Sequence, residues 1–285
     1  CPNAWVLNFT NPMAICVKAL YEAFPEIKAF GCCHEVFGTQ KLLATILDEK
    51  LGIKDVPRED ITVNVFGVNH FTWFNEASYQ GMDLFPLYKG FVDELYVEGF
   101  ALDDNNWANE GWECSHRVKF DLFREYGYIA AAGDRHLAEF MPGDKYLKSP
   151  EVVKSWKFGL TKVSTRKSRL ASRNARGQRL FNGEEQIQLK PTGEEGVLLI
   201  KALCGMYRFI SNVNIPNTAL QIPNLPADAI VECNAVFERD SVKPIYTGFI
   251  PENVKELLMP HIENQKRVVD AANHVDKELL AEAFA

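Results

Sequence analysis

A chain of 285 residues that is 47% hydrophobic has enough apolar surface for one large core or two modest ones. Its 31 Lys and Arg stand against 38 Asp and Glu, a net charge of −7 that speaks against a general nucleic-acid binder, and no run approaches the roughly eighteen apolar residues of a membrane span. Seven cysteines with no repeating spacing favour a reducing compartment with free thiols over a disulfide scaffold. The opening CPNAWVLNFTNP has no basic stretch ahead of a long apolar core, so no signal peptide is read and a cytoplasmic location is expected. Cys16, Cys204 and Cys233 sit among aliphatic residues and are expected in the core.

In chain order, AWVLNF (4–9) has the continuous apolar pattern of a strand buried on both faces. It stops at Thr10-Asn11-Pro12, where proline biases Asn11 towards extended backbone and suits the first turn of a helix over 13–24. IKAFGCC (27–33) predicts a second strand, and TQKLLATILDEKLG (39–52) a second helix with Gly52 as its C-cap. Two such units predict the end of a doubly wound parallel sheet. No G-x-G-x-x-G follows a strand, so the chain reads as an internal part of something longer.

After residue 58 the character changes. DITVNVFGVNHFTWFNEASYQG (60–81) alternates like antiparallel strands and is dense in aromatics. Residues 83–185 read mainly as helix, with loops at 103–111 and 141–144. An amphipathic helix is predicted over 195–209, a β hairpin with Asn-Pro turn signals over 211–237, and a long helical region from 252 onwards. The basic stretch STRKSRLASRNARGQR (164–179) could suggest a nucleic-acid arm, but in so acidic a chain a solvated helix face or loop is expected.

Several residue types in this pattern carry chemistry. Cys33 and His34 lie where a parallel strand hands over to a helix, the edge at which α/β sheets bind ligands and where helix amides favour a thiolate. A Cys32–Cys33 disulfide would be strained, which discounts a redox pair. In FGVNHFTW (66–73), His70 follows Asn69, whose amide suits sugar hydroxyls. Cys33 and His70 alone are too few for a closed zinc site, yet they suit a catalytic ion completed by substrate and water. GDRHLAEF (133–140) packs Asp134, Arg135, His136 and Glu139 together, either as acid–base groups or as a loop and helix with an i,i+3 His–Glu contact. Residues 105–116, NNWANEGWECSH, have the side chains of sugar-binding loops and of ordinary loops alike.

Four stretches in order, NFTNPMAI (8–15), GCCHEVFG (31–38), GVNHFTWF (67–74) and NVNIPNTALQIPNLPADAIVE (212–232), resemble glycoside hydrolase family 4, the NAD- and Mn²⁺-dependent glycosidases. TNP before a helix also resembles lactate and malate dehydrogenases, to whose fold that family is related. The resemblance implies an α/β fold: residues 1–58 as the C-terminal part of a Rossmann-like parallel sheet, and 59–285 as a mixed α+β substrate domain. The family implies a route outside the paired-carboxylate scheme. The sugar is oxidised at C3, deprotonated at C2, loses its aglycone from C1, takes up water and is reduced again.

By position, Cys33 and His70 match the family's metal ligands. Asn11 matches an asparagine that contacts the sugar hydroxyls beside the cofactor, and His34 the group assisting the leaving group. His136 stands where members acting on phosphorylated sugars carry tyrosine, so the C2 base is either His136 or Asp134. CHEV (33–36) resembles the α-glucuronidase group, which implies a uronic acid, glucuronide or galacturonide. A uronate calls for an arginine fork on its C6 carboxylate, with Arg135 first and Arg117 second. Asn69 is a further substrate contact. A small-molecule glycoside, no nucleic acid, no membrane and a homo-oligomer, dimer or tetramer, complete these expectations. The alternatives are an α-glucosidase or α-galactosidase of the same family, or a dehydrogenase-like oxidoreductase.

Overall fold

The computed structural model describes residue 1 and residues 3–101, 114–189 and 193–283. β1 (Trp5–Asn8) runs through α1 (Met13–Ala23) into β2 (Lys28–Gly31), and the two strands pair in parallel as expected. α2 (Glu35–Leu51) starts after a short connection from β2, four residues earlier than predicted. Its Val36, Thr39, Leu43 and Ile46 recur at helical spacing and are buried. Gly52 ends it at φ 68°, with its N–H on the Asp48 carbonyl at 2.8 Å, the αL closure that glycine favours.

β3 (Ile61–Val68) and β4 (Phe71–Tyr79) form the predicted hairpin, extended by β5 (Met82–Asp83) and α3 (Phe85–Leu95). α4 (Arg117–Tyr126), β6 (Ile129–Ala130), α5 (Asp134–Phe140), α6 (Gly143–Tyr146), α7 (Pro150–Ser155) and α8 (Val163–Phe181) follow. α8 carries the basic stretch and buries none of its side chains, and Arg176 and Arg179 pair with Glu185 at 2.7 and 3.0 Å. α9 (Gly196–Leu203) is shorter than predicted, because Gly205 turns the chain at φ 79° and β7 (Phe209–Pro216) begins soon after. β8 (Ile230–Glu238) and β9 (Ser241–Pro244) precede α10 (Glu252–His274) and α11 (Lys277–Glu282).

β1, β2, β7, β8 and β9 make one five-stranded sheet in that order, so the parallel pair passes into an antiparallel meander. The joint is narrow: β2 meets β7 only at Gly31 and Asn214, where a Cβ on Gly31 would stand 2.3 Å from the Met13 sulfur. β3, β4 and β5, with β6 on β4, form the second sheet. Its hairpin is buried on both sides. Ile61, Val63 and Val65 pack towards α2 and α3, and Phe66, Val68, Phe71 and Trp73 pack with residues of α4, α5 and α10. Asn234 on β8 donates to the Val63 carbonyl at 2.6 Å and ties the two sheets together.

Of the cysteines expected in the core, Cys233 is fully buried, Cys16 is half-buried and Cys204 is exposed, since the turn after α9 brings it to the surface. All seven thiols are free. Residues 105–113 of the suspected sugar-binding loop lie outside the described residues. Among the described residues no helix is long and apolar enough to cross a membrane.

The hairpin turn rests on Gly67, which adopts φ 128° and where a Cβ would lie 2.4 Å from the Phe71 carbonyl oxygen. Gly67→Ala is therefore expected to cost about 1–3 kcal/mol. Urea unfolding should show a lower midpoint at unchanged slope. An unchanged midpoint would mean that the hairpin tolerates a side chain there.

Candidate active site

Three connections deliver the chemistry-bearing residues to one place. The end of β2 supplies Cys33, and the first turn of α2 supplies Glu35, whose negative charge suits a helix N-terminus. The two-residue turn between β3 and β4 supplies Asn69 and His70, the latter held in the left-handed region at φ 65°. Non-glycine residues in that region often mark functional sites. The connection from β6 supplies Gly133, and α5 supplies Arg135, His136 and Glu139.

Glu35 is the meeting point. Its Oε2 accepts the Gly133 N–H at 2.9 Å and its Oε1 lies 3.6 Å from His136 Nε2. The His70 and His136 rings stack with centroids 4.0 Å apart. His136 Nδ1 faces Glu139 Oε2 at 3.2 Å, and its Nε2 faces Arg135 Nη2 at 3.1 Å. Arg135 is 8% exposed and also donates to Thr161 Oγ1 at 2.9 Å. One ligand atom from each of Glu35, His70 and His136 lies within 4.8 Å of the others. Two imidazoles and a carboxylate form a donor set that suits a divalent transition metal.

The charges agree with such a use. Burial, reinforced by His136, pushes the His70 pKa down to about 4, so at neutral pH its imidazole keeps a free lone pair. Burial alone would raise Glu35, but His136, the Gly133 amide, His70 and His34 together hold it below the usual carboxylate range. Burial and the Glu232 charge raise the half-buried Cys33 thiol well above its ordinary value, while an Asn69 hydrogen bond works the other way. A bound cation reverses that order, because a coordinating thiol loses its proton outright.

The remaining predicted residues fall into two groups. Asn69, 5% exposed, and Arg135 belong to the cluster. His34 caps α2 at its edge with a largely exposed ring, paired with Glu194 at 2.8 Å. It borders an open cavity of about 670 Å³ together with Glu35, Lys41, Arg58 and Glu194. Asn11 is exposed at the start of α1, where its Oδ1 accepts the Met13 N–H at 3.2 Å.

Asp134 and Arg117 are employed in the scaffold instead. Asp134 is 0% exposed, and its Oδ1 accepts the Lys119 N–H at the start of α4 at 3.1 Å. Burial, opposed by Lys119, raises its pKa to about 6. Arg117 donates to the carbonyls of Tyr96 and Ser155 and lies 5.0 Å from the Trp156 ring. Cys114, His116 and Asp134 also gather their polar atoms within 4.8 Å. The fully buried Lys119 beside them donates to Thr39 Oγ1 at 2.6 Å, and burial lowers its pKa.

Two acids carry more of the site than their sequence context indicated. In the sequence Glu35 stands out only as part of CHEV (33–36). Glu232, 1% exposed, accepts Asn212 Nδ2 at 2.6 Å and Asn69 Nδ2 at 3.3 Å. Burial raises its pKa to about 7 against those amide bonds. Its signal was present but unused: a lone glutamate within the apolar run AIVECNAVF (229–237).

Residues 65–285 match the family 4 glycosyl hydrolase C-terminal domain, and residues 1–49 match family 4 glycosyl hydrolase. An alpha-galacturonidase of Lachnoclostridium phytofermentans is 62% identical over 283 residues, which cover 99% of this chain and 61% of that protein. An alpha-galacturonidase of Thermoanaerobacterium saccharolyticum is 54% identical over 285 residues, covering 100% of this chain and 61% of its own length. The crystal structure of lplD from Bacillus subtilis superposes with a TM-score of 0.93 at 49% identity, over 100% of this chain and 64% of that one. The chain thus spans 61% of the length of the two curated relatives. With the ordered motifs, the folded cluster and these matches in agreement, the chain belongs to glycosyl hydrolase family 4.

Proposed function

We propose that the intact protein is an NAD- and Mn²⁺-dependent α-glycosidase that cleaves α-linked uronides, a galacturonide in the first instance. The observation that carries the uronide is Arg135, a largely buried guanidinium held against His136 inside the cluster. A planar cation there suits a C6 carboxylate and has no counterpart on a neutral sugar. The names of the two most similar relatives above favour galacturonide over glucuronide.

When bound, NAD⁺ supplies a hydride acceptor for C3 and Mn²⁺ a Lewis acid for the C2 and C3 oxygens. Cys33 and His70 would hold the metal by their match to the family motifs, with Glu35 within ligand reach of His70, which leaves His136 of the same cluster for the proton. The nucleotide belongs at the C-terminal edge of β1 and β2, where Asn11 precedes α1 and Cys33 precedes α2. His136 accepts the C2 proton, and Glu139 on Nδ1 steadies the ring as it becomes charged. Asn11 and Asn69 address sugar hydroxyls, and His34, facing the open cavity, assists the leaving group. Free thiols throughout agree with a reducing, cytoplasmic setting. The homo-oligomer expected from the family resemblance belongs to the same proposal.

With NAD⁺, Mn²⁺ and reductant, the intact protein should release p-nitrophenol from the α-galacturonide. EDTA should abolish turnover, and in D₂O the product should carry deuterium at C2. Equal turnover of the neutral α-galactoside would refute the uronide, and net NADH formation would point to a dehydrogenase. Arg135→Gln should lower kcat/KM for the uronide about 30–1000-fold, the cost of leaving a desolvated charge unpaired. The same variant should leave any neutral-galactoside rate within a few-fold. His136→Gln should lower kcat by about 10²–10⁴-fold and suppress C2 exchange. Asp134→Asn should instead lower Tm while preserving exchange. The reverse pattern would make Asp134 the base.

A further inference from the structure

Glu232 is a buried acid with no part in the chemistry above. It reaches from β8 of the five-stranded sheet to the hairpin turn of the other sheet. Its Oε1 accepts Asn212 Nδ2 at 2.6 Å, and that nitrogen also donates to the Cys33 carbonyl at 3.0 Å. Its Oε2 accepts Asn69 Nδ2 at 3.3 Å. Asn69 immediately precedes His70 in a two-residue turn. One carboxylate therefore braces the backbone of Cys33 on one oxygen, and on the other the turn that presents His70.

We propose that Glu232 is the positioning residue of the metal site, holding Cys33 and His70 at a fixed separation through the side-chain amides of Asn212 and Asn69. The inference rests on the reading of Cys33 and His70 as metal ligands. Only a carboxylate meets the geometry, because two amide donors approach its two oxygens and a glutamine would turn an N–H₂ towards one of them. An apolar replacement would strand two buried amides. Partners that orient ligands from behind commonly change metal affinity by about 10–100-fold when removed. A brace with a purely structural role would change stability and leave the ion's affinity alone.

The test is titration of the intact protein with Mn²⁺, following the free-ion signal by electron paramagnetic resonance, with Tm recorded for each variant. Glu232→Gln should raise the Mn²⁺ Kd about 10–100-fold. Combined with Asn69→Ala, it should lose less affinity than the product of the two single losses, because both act through one hydrogen bond. Should Glu232→Gln fail to fold, Glu232→Asp, which keeps the charge on a shorter arm, should show the same weakening. Loss of Mn²⁺ from Cys33→Ser and His70→Ala alongside wild-type affinity in the Glu232 variant overturns the inference alone. Multiplying losses in the double variant also overturn it. Retention of Mn²⁺ by both Cys33→Ser and His70→Ala overturns the metal reading, and the inference with it.

Discussion

A carboxylate leaves water only where donors and positive charge replace its hydration. Glu35 sits near the bottom of that cost curve because three groups meet on it. Its own helix points amide dipoles at it, Gly133 donates a backbone N–H at 2.9 Å, and His136 lies 3.6 Å away. Take any of the three away and the acid is left short of partners. The β2–α2 junction and the start of α5 are thus held to a common point, with His70 of the hairpin turn in ligand reach. The stacked imidazoles of His70 and His136 follow from that convergence.

The scaffold solves the same problem twice more, with different consequences. Asp134 accepts the Lys119 amide in the first turn of α4, and the Lys119 side chain reaches Thr39 on α2, whose hydroxyl donates to the Ala131 carbonyl at 2.8 Å. Those bonds lock α2, α4 and α5 around the hairpin, away from solvent. Glu232 spends its oxygens on two asparagine amides that reach the ligand-bearing turns. Burial is nearly complete for both acids, so burial alone does not separate a structural carboxylate from one that shapes a site. What separates them is where their donors lead.

Much of the fold was legible before any coordinates. β1 and β2 are continuous apolar runs, α2 has helical spacing with Gly52 at its end, and the 60–81 segment alternates around a turn. These signals are local, and local steric and burial preferences decide them. The prediction failed where a non-local neighbour intervened. The helix expected to reach residue 209 stops at Leu203 because Gly205 turns the chain and Phe209 is taken up as a strand beside β8.

The site divides along the same line. Cys33, His70, Arg135 and His136 could be singled out from residue type, strand-end position and ordered motifs, and they lie on the connections that converge. Arg117 and Asp134 have the same residue types but serve backbone groups, and no spacing in the sequence distinguishes the two uses. The sequence by itself determined the strands, the helices, the family and the residues able to do chemistry, because those follow from near neighbours and from motif order. Only the tertiary structure decided that Glu35 joins the histidines and that Glu232 braces Asn69 and Asn212. Those contacts span gaps of 20 to 163 positions along the chain, and a hydrogen bond reports distance in space and not in sequence.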